Sequence, residues 1–278
     1  MREDFLIIGL LRNNSPYIEY LNKMFKEVEK NNPESNFEYF FYTNNNEDET
    51  IKSLEKYNYK YIDDKEIKYK NQRIKRLAYL RQKLLDSIKD TEASYVVLMD
   101  SDIMFNNRMF TEAVKTAKEK NFKVTCLNTL RYPLPWFYDW GAYKKWRFSE
   151  CWKLVIKTLI SNDVVQTDTF FNGMMILKND QDFKKYNYKF EEGDSFNCEH
   201  EILYKTIKEA GQKINIIPNI TPIYTEGVWA EDRLDYESYY KIVKNNKKDL
   251  RTGLILWILA LVFSVFLAIY FIYRYFKR

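Results

Sequence analysis

Asp100 and Asp102 are separated by one serine and stand at the end of the apolar run Tyr95-Val96-Val97-Leu98-Met99. In an extended chain, residues at i and i+2 project from the same face, so both carboxylates can reach one cation. Oxygen donors of this kind suit a hard divalent ion, which can in turn hold the phosphates of a bound nucleotide. The competing reading is a strand end capped by two solvated aspartates, and the pair alone is too short a pattern to decide. A calcium loop is disfavoured, because the glycine and terminal glutamate it requires are missing.

Arg81 is the second residue with chemical promise. The spacing predicts a helix from about Gln72 to Ile88, with Ile74, Leu77, Ala78, Leu84, Leu85 and Ile88 as its apolar stripe. Arg81 falls within that stripe, whereas Arg73 lies near its edge and Arg76 and Lys83 point away. A charge on an inward face is costly unless it is paired. Arg81 is therefore either a buried ion pair, with Asp100 as one candidate partner, or a guanidinium aimed at a pyrophosphate.

The segment Asp194-Ser195-Phe196-Asn197-Cys198-Glu199-His200-Glu201 enters a helix that runs to Ala210 and stops at Gly211. On that helix Glu199 projects inward, His200 lies at the edge and Glu201 faces out. His200 is the single histidine of the chain. A lone histidine is more often structural than a ligand, but this one stands beside an inward acid. Four of the six tryptophans fall between Arg131 and Trp152, among them Trp136 and Trp140, with Asp139 between these two. Flat aromatic faces beside a carboxylate can grip a sugar ring. A packed connection or an aromatic patch at a membrane interface explains them equally well.

These residues need a scaffold, and the pattern supplies one. Phe5 to Leu11 reads as a buried strand, broken by Asn13-Asn14-Ser15-Pro16, which opens a helix with Tyr17, Ile18, Leu21, Met24, Phe25 and Val28 on its apolar face. Further strands are expected at Asn36 to Thr43, Tyr59 to Ile62, Phe122 to Leu127, Thr169 to Leu177 with Gly173 inside it, and Lys213 to Pro218. A helix is expected over Met109 to Lys120. Strands alternating with helices predict an α/β fold with a mostly parallel sheet and flanking helices. In such sheets ligands bind beyond the carboxyl ends of the strands, where Asp100 and Asp102 lie.

The net charge of +5 is spread along the 278 residues, with no basic block in the body of the chain, so nucleic acid is not the favoured partner. Cys126, Cys151 and Cys198 are odd in number and irregularly spaced, which fits a reducing compartment and neither a disulfide framework nor a zinc cluster. Leu254 to Tyr273 is twenty residues without a charge, long enough for one transmembrane helix. The expected organisation is a folded domain over 1–240, a basic juxtamembrane linker over 241–253 and a C-terminal membrane anchor over 254–273. No N-terminal signal is read. Insertion after translation places the folded domain on the cytosolic face of an endoplasmic reticulum or Golgi membrane.

In this order the pieces resemble the GT-A-fold glycosyltransferases with an Asp-x-Asp motif, here Asp100-Ser101-Asp102. Within that fold, Phe137-Tyr138-Asp139-Trp140, Phe171-Asn172-Gly173 and Ile216-Ile217-Pro218 are similar to the fungal capsule-type α-1,3-mannosyltransferase-like family. The likeness covers roughly residues 3–226. It implies a Rossmann-like domain that moves a hexose from a nucleotide-diphosphate sugar to a glycan, protein or lipid hydroxyl. By the same likeness Asp100 and Asp102 bind Mn2+ or Mg2+, His200 completes the metal shell, and Arg81 meets the donor. Glu199 or Asp194 stands near the acceptor or the anomeric carbon, and Trp136, Asp139, Trp140 and Asn172 serve the substrate. The mannosyltransferase likeness further implies GDP-mannose and retention of configuration. The C-terminal anchor departs from the N-terminal one usual in Golgi enzymes of this type. Two rival readings are an inactive, membrane-bound carbohydrate-binding protein and a nucleotide-sugar pyrophosphorylase. The latter wants a glycine-rich phosphate loop, which seven scattered glycines do not provide.

Overall fold

The computed structural model describes residues 3–66, 68–131, 136–137, 157–158, 163–169, 171, 173–218, 220 and 222–224, with isolated positions at 241, 245, 248 and 252. The first strand, β1 (Glu3–Leu11), buries Phe5, Leu6, Ile7 and Ile8 on both faces, as a central strand of a parallel sheet must. Asn13 then turns the chain at a φ of 53°, and Pro16 lies in the first turn of α1 (Ser15–Asn31). Ile18, Leu21, Phe25 and Val28 of α1 are buried.

The chain continues through β2 (Ser35–Asn44), α2 (Thr50–Lys56), β3 (Lys60–Asp64), α3 (Arg73–Ser87) and β4 (Tyr95–Asp100). Strands β3, β2, β1 and β4 lie side by side and pair in parallel, the arrangement the alternation of strand and helix predicts. After β4 come β5 (Ile103–Met104), α4 (Asn107–Glu119), β6 (Val124–Leu127), β7 (Leu130–Arg131) and β8 (Trp136–Phe137). They are followed by β9 (Val165–Thr167), β10 (Met174–Lys178), α5 (His200–Glu209), β11 (Ile214–Ile217) and β12 (Ile223–Tyr224).

The large sheet has eight strands in the order β3-β2-β1-β4-β10-β6-β11-β9. It is mostly parallel, as expected, β6 and β11 of its second half also pairing in parallel, with β10 and β9 as the exceptions. β10 runs antiparallel to both β4 and β6, and β9 runs antiparallel to β11, so the sheet is mixed. A second sheet, β5-β12-β7-β8, has four short strands that the sequence pattern does not signal.

Two local differences bear on the site. The strand carrying the acidic pair ends at Asp100, and Ser101-Asp102 form a turn rather than an extended continuation. Gly173 lies before β10 rather than inside it, at a φ of 83° that only glycine adopts without strain. Its carbonyl accepts a hydrogen bond from the Asp100 N–H at 2.8 Å, so the last residue of β4 is fixed by the first turn of its antiparallel neighbour. The expected membrane helix at 254–273 lies outside the described residues. Among the described residues no helix is long and apolar enough to cross a membrane.

Candidate active site

Beyond the carboxyl ends of β1, β2 and β4 lies a cavity of about 380 Å3. β1 contributes Leu10 and Leu11 with Arg12 after them, and β2 contributes Tyr42 and Asn44. The first nine residues of α3 contribute Arg73, Ile74, Arg76, Leu77, Leu80 and Arg81. Asp100, Ser101 and Asp102 form one side, and Asn197, Cys198, Glu199 and His200 close another. The turn at Ser101 brings the two aspartates to one cavity, by a route other than the extended-strand projection expected of them.

Arg81 joins these walls. Its Nη2 donates to Asp100 Oδ1 at 2.9 Å and its Nε donates to Glu199 Oε1 at 3.2 Å, and the residue is only 5% exposed. The guanidinium also lies 5.3 Å from the centre of the Phe171 ring. Of the two roles open to Arg81, the buried ion pair with Asp100 is present. Burial raises the Glu199 carboxyl, but His200 and Arg81 outweigh it and hold the group down at about 2. Because the His200 ring is itself neutral at ordinary pH, Arg81 is the partner that acts there.

His200 is 2% exposed and its ring stacks on Phe171, with centroids 3.9 Å apart. Its Nδ1 lies 2.9 Å from the hydroxyl of the fully buried Tyr188, and its Nε2 lies 3.6 Å from Glu199 Oε1. An Nε2–H facing the carboxylate leaves Nδ1 to accept the tyrosine hydroxyl proton. Burial first, and the Arg81 charge second, push the imidazole down to about 3. The expected role of His200 as a third metal ligand is thus not set up in this structure: both ring nitrogens have protein neighbours. Among the described residues no group of three or more His, Cys, Asp or Glu is placed to hold a metal ion.

The aspartate pair nonetheless fits a cation. Asp102 Oδ1 is buried without a hydrogen-bond partner among the described residues. Burial, and then the charge of Asp100, push the Asp102 carboxyl up to about 7. Two crowded carboxylates with an unmet oxygen are the surroundings that a hard divalent ion satisfies.

At the mouth, a polar clasp joins the loop after β1 to the loop after β2. The Asn13 N–H donates to Asn46 Oδ1 at 3.0 Å, and the Glu47 N–H donates back to Asn13 Oδ1 at 2.8 Å. The Ser15 N–H donates to Asp48 Oδ2 at 3.0 Å and the Asn14 N–H to Thr50 Oγ1 at 2.7 Å. These bonds fix the chain immediately after Arg12.

Asp100, Asp102, Arg81, Glu199 and His200 are therefore brought together. Asp194 is not: it is exposed, it does not line the cavity, and its Oδ2 accepts the Glu191 N–H at 2.8 Å in a local turn. Trp136 belongs to β8, paired with Arg131, and Asp139, Trp140 and Asn172 lie outside the described residues. The sequence pattern missed Arg12, Arg73, Arg76, Asn44 and Tyr188. Arg12 and Asn44 were findable, since each stands at the carboxyl end of a predicted strand. Arg76 faces the cavity because the cavity covers the flank of α3 as well as its apolar stripe.

A mixed α/β sheet with a cavity beyond its strand ends is consistent with a GT-A fold. The chain belongs to glycosyl transferase family 2, whose family model matches residues 12–187. No curated protein matches it in a sequence search. Its fold is similar to that of S. aureus TarS 1-349, with a TM-score of 0.53 and 16% identity, covering 86% of this chain and 63% of that one. It is also similar to the mannosyltransferase PcManGT from Pyrobaculum calidifontis in complex with GDP-Man and Mn2+, with a TM-score of 0.52 and 13% identity, covering 80% of this chain and 57% of that one. A TarS 1-349 structure in complex with UDP-GlcNAc gives a TM-score of 0.51 and 15% identity, covering 80% and 58% of the two chains. At these identities the likeness is one of fold, and the chain spans less than two thirds of each of these structures.

Proposed function

We propose that this chain transfers a hexose from a nucleoside diphosphate sugar to a hydroxyl of a glycan, protein or lipid, in a metal-dependent reaction. The observation that carries the reading is the Asp100–Arg81–Glu199 ion triad, with the unmet oxygen of Asp102 beside it, in one cavity at the strand ends. Asp100 and Asp102 are the residues to hold Mn2+ or Mg2+, which when bound supplies positive charge against the departing diphosphate.

Glu199 is the remaining carboxylate of the cavity wall and stays ionised throughout the working pH range. Held at about 2 by Arg81, it is too weak a base to take the acceptor proton; it accepts a hydrogen bond from the acceptor hydroxyl and orients it. The proton passes to solvent or to the departing diphosphate as that oxygen bonds to the anomeric carbon. The bond from that carbon to the phosphate oxygen breaks, and the nucleoside diphosphate leaves with the electron pair. Arg81 holds Glu199 and Asp100 in register, with His200 stacked on Phe171 and bonded to the buried Tyr188 hydroxyl behind the triad.

Mannose from GDP-mannose is the donor we favour. Support comes from the likeness of Phe137-Tyr138-Asp139-Trp140 and Phe171-Asn172-Gly173 to the capsule-type mannosyltransferases, and from a fold neighbour solved with GDP-Man and Mn2+. Anchoring through 254–273 is also part of the proposal and rests on the uncharged run of twenty residues, while a cytosol-facing catalytic domain fits the odd, irregularly spaced cysteines. Protease added to intact microsomes tests it, since full protection of the large domain places that domain in the lumen.

The chemistry is tested with a panel of UDP-, GDP- and CMP-sugars in Mn2+, following nucleotide release. Turnover of one diphosphate sugar that is lost in Asp102→Asn supports the proposal. Absence of turnover and of nucleotide binding across the panel removes it.

A further inference from the structure

Tyr188 and His200 are a buried pair behind the cavity that takes no part in the bond-making step. The imidazole stacks on Phe171 with centroids 3.9 Å apart and faces the Tyr204 ring at 6.2 Å, so its plane is set by its neighbours. Its two nitrogens then meet two different groups. The Tyr188 hydroxyl is 2.9 Å from Nδ1, and Glu199 Oε1 is 3.6 Å from Nε2.

Burial and the Arg81 charge keep this ring neutral, and a neutral imidazole has one proton to place. Burial also pushes the Tyr188 phenol well above its ordinary value, so the hydroxyl keeps its hydrogen and needs an acceptor for it. Among the described residues Nδ1 is its hydrogen-bond partner and has no rival. A proton on Nδ1 would leave the tyrosine hydrogen buried without an acceptor, and would turn a bare Nε2 toward a carboxylate oxygen. A proton on Nε2 meets both demands. Away from water each of these preferences weighs more than it would on a surface.

The two oxygens of Glu199 are unequal as a result. Oε1 meets Arg81 Nε at 3.2 Å and His200 Nε2 at 3.6 Å. Among the described residues Oε2 meets the Cys198 thiol alone, a weak donor at 3.5 Å. We propose that Tyr188 and His200 are positioning residues: the Tyr188 hydroxyl and Glu199 together fix the His200 proton on Nε2, and that proton with Arg81 Nε holds Oε1, leaving Oε2 for the acceptor hydroxyl. Tyr188 does not line the cavity and acts only through His200. The inference rests on the reading of Glu199 as the carboxylate that orients the acceptor.

Because His200 is the single histidine of the chain, nitrogen NMR of the full chain labelled in histidine alone reads this one ring. The wild type is expected to show a protonated Nε2 and a bare, hydrogen-bonded Nδ1. Tyr188→Phe should lose the shift of a hydrogen-bonded Nδ1 and mix in the second tautomer. Nucleotide release from the sugar nucleotide that turns over in the panel gives the second readout. Tyr188→Phe should lower kcat on the order of tenfold with donor KM unchanged, the loss expected when a histidine is deprived of the partner that orients it. Glutamine reaches about as far as Nε2 and asparagine about as far as Nδ1, so His200→Gln should keep more of kcat than His200→Asn at matched melting temperature. Should Tyr188→Phe fail to fold, the wild-type spectrum and the two His200 variants decide. A wild-type proton on Nδ1 or on both nitrogens at neutral pH overturns the inference and leaves the donor reading standing. An unchanged spectrum or kcat in Tyr188→Phe, or His200→Asn as active as His200→Gln, does the same. A fall in kcat only in step with loss of melting temperature also overturns it, by making the pair structural. A wild type that releases nucleotide from no sugar in the panel overturns the functional reading, and the positioning role with it.

Discussion

Asp100 accepts a hydrogen bond from Arg81, Nη2 to Oδ1 at 2.9 Å, and this contact ties the end of β4 to the middle of α3. Methionine suits the apolar stripe in which Arg81 lies, so the sequence pattern suggests that Arg81→Met is tolerated. The structure predicts the reverse. Removing the guanidinium leaves Asp100 and Glu199 as buried charges without their counter-ion, which costs about 3–5 kcal/mol. Urea denaturation should show that loss, and adding Glu199→Gln to Arg81→Met should restore part of it. A single variant as stable as the wild type contradicts the ion triad.

Asp102→Asn separates the binding role of the carboxylate from its cost to the fold. The folded carboxyl titrates at about 7, above the roughly 3.9 of an unfolded aspartate. The folded state therefore holds the proton more tightly, and stability falls as pH rises through that window. In EDTA at pH 8 the asparagine variant should melt higher than the wild type, and the difference should close toward pH 5. With Mn2+ present the order should reverse, because only the wild type gains from the ion. Equal melting at pH 8 in EDTA removes the like-charge strain between the two aspartates.

His200 gives a pH dependence of the opposite sign. Its ring is held at about 3, below the roughly 6.5 of an unfolded histidine. As pH falls below about 6.5 the unfolded chain takes up a proton that the folded ring refuses, so this share of stability is complete above that pH and is lost on acidification. Relative to His200→Gln, the melting temperature of the wild type should fall between pH 7.5 and pH 5. Comparing the two proteins cancels the contribution of Asp102. Parallel curves mean that the ring takes up a proton in the fold.

Gly173→Ala probes the backbone under Asp100. A φ of 83° disfavours a side chain by about 1–3 kcal/mol. The Gly173 carbonyl holds the Asp100 N–H at 2.8 Å, so relief of that strain moves the aspartate. The variant should lose stability and also Mn2+-dependent nucleotide affinity, whereas Gly173→Asn should retain more of both, asparagine tolerating this region better. An alanine variant that loses stability alone restricts Gly173 to the fold.

Much of the site was legible because it sits where local pattern is strongest. The run Tyr95–Met99 read as a buried strand, so Asp100 had to stand at its end, and the six apolar residues of the α3 stripe from Ile74 to Ile88 fixed Arg81 as inward. Glu199 could be read as inward from Leu203 and Ile207 on the same helix. What escaped were choices made at long range. Nothing within residues 169–177 tells β10 to run antiparallel between β4 and β6, because that direction is set by the path of the chain after β6. Asp194 and Glu199 looked equally placed in sequence, and the turn closed by Asp194 Oδ2 and the Glu191 N–H sends the former outward. Trp136, Asp139, Trp140 and Asn172 were chosen by composition and likeness, without a periodicity to orient them.

The position of β10 bears on the order in which the chain is made. Strands β1 to β4 follow one another in sequence and pair with one another, so they can associate as soon as they leave the ribosome. The other edge of β4, with its buried run Tyr95 to Met99, has no neighbour until Met174 to Lys178 are synthesised. Glu199, the second partner of Arg81, arrives later still. For that interval the nascent chain presents an apolar strand edge beside a half-paired arginine, the kind of surface that associates with other chains. Fragments ending between β4 and β10 should therefore aggregate rather than persist as half-domains, and quality-control factors that shield strand edges should engage this protein before residue 178 emerges.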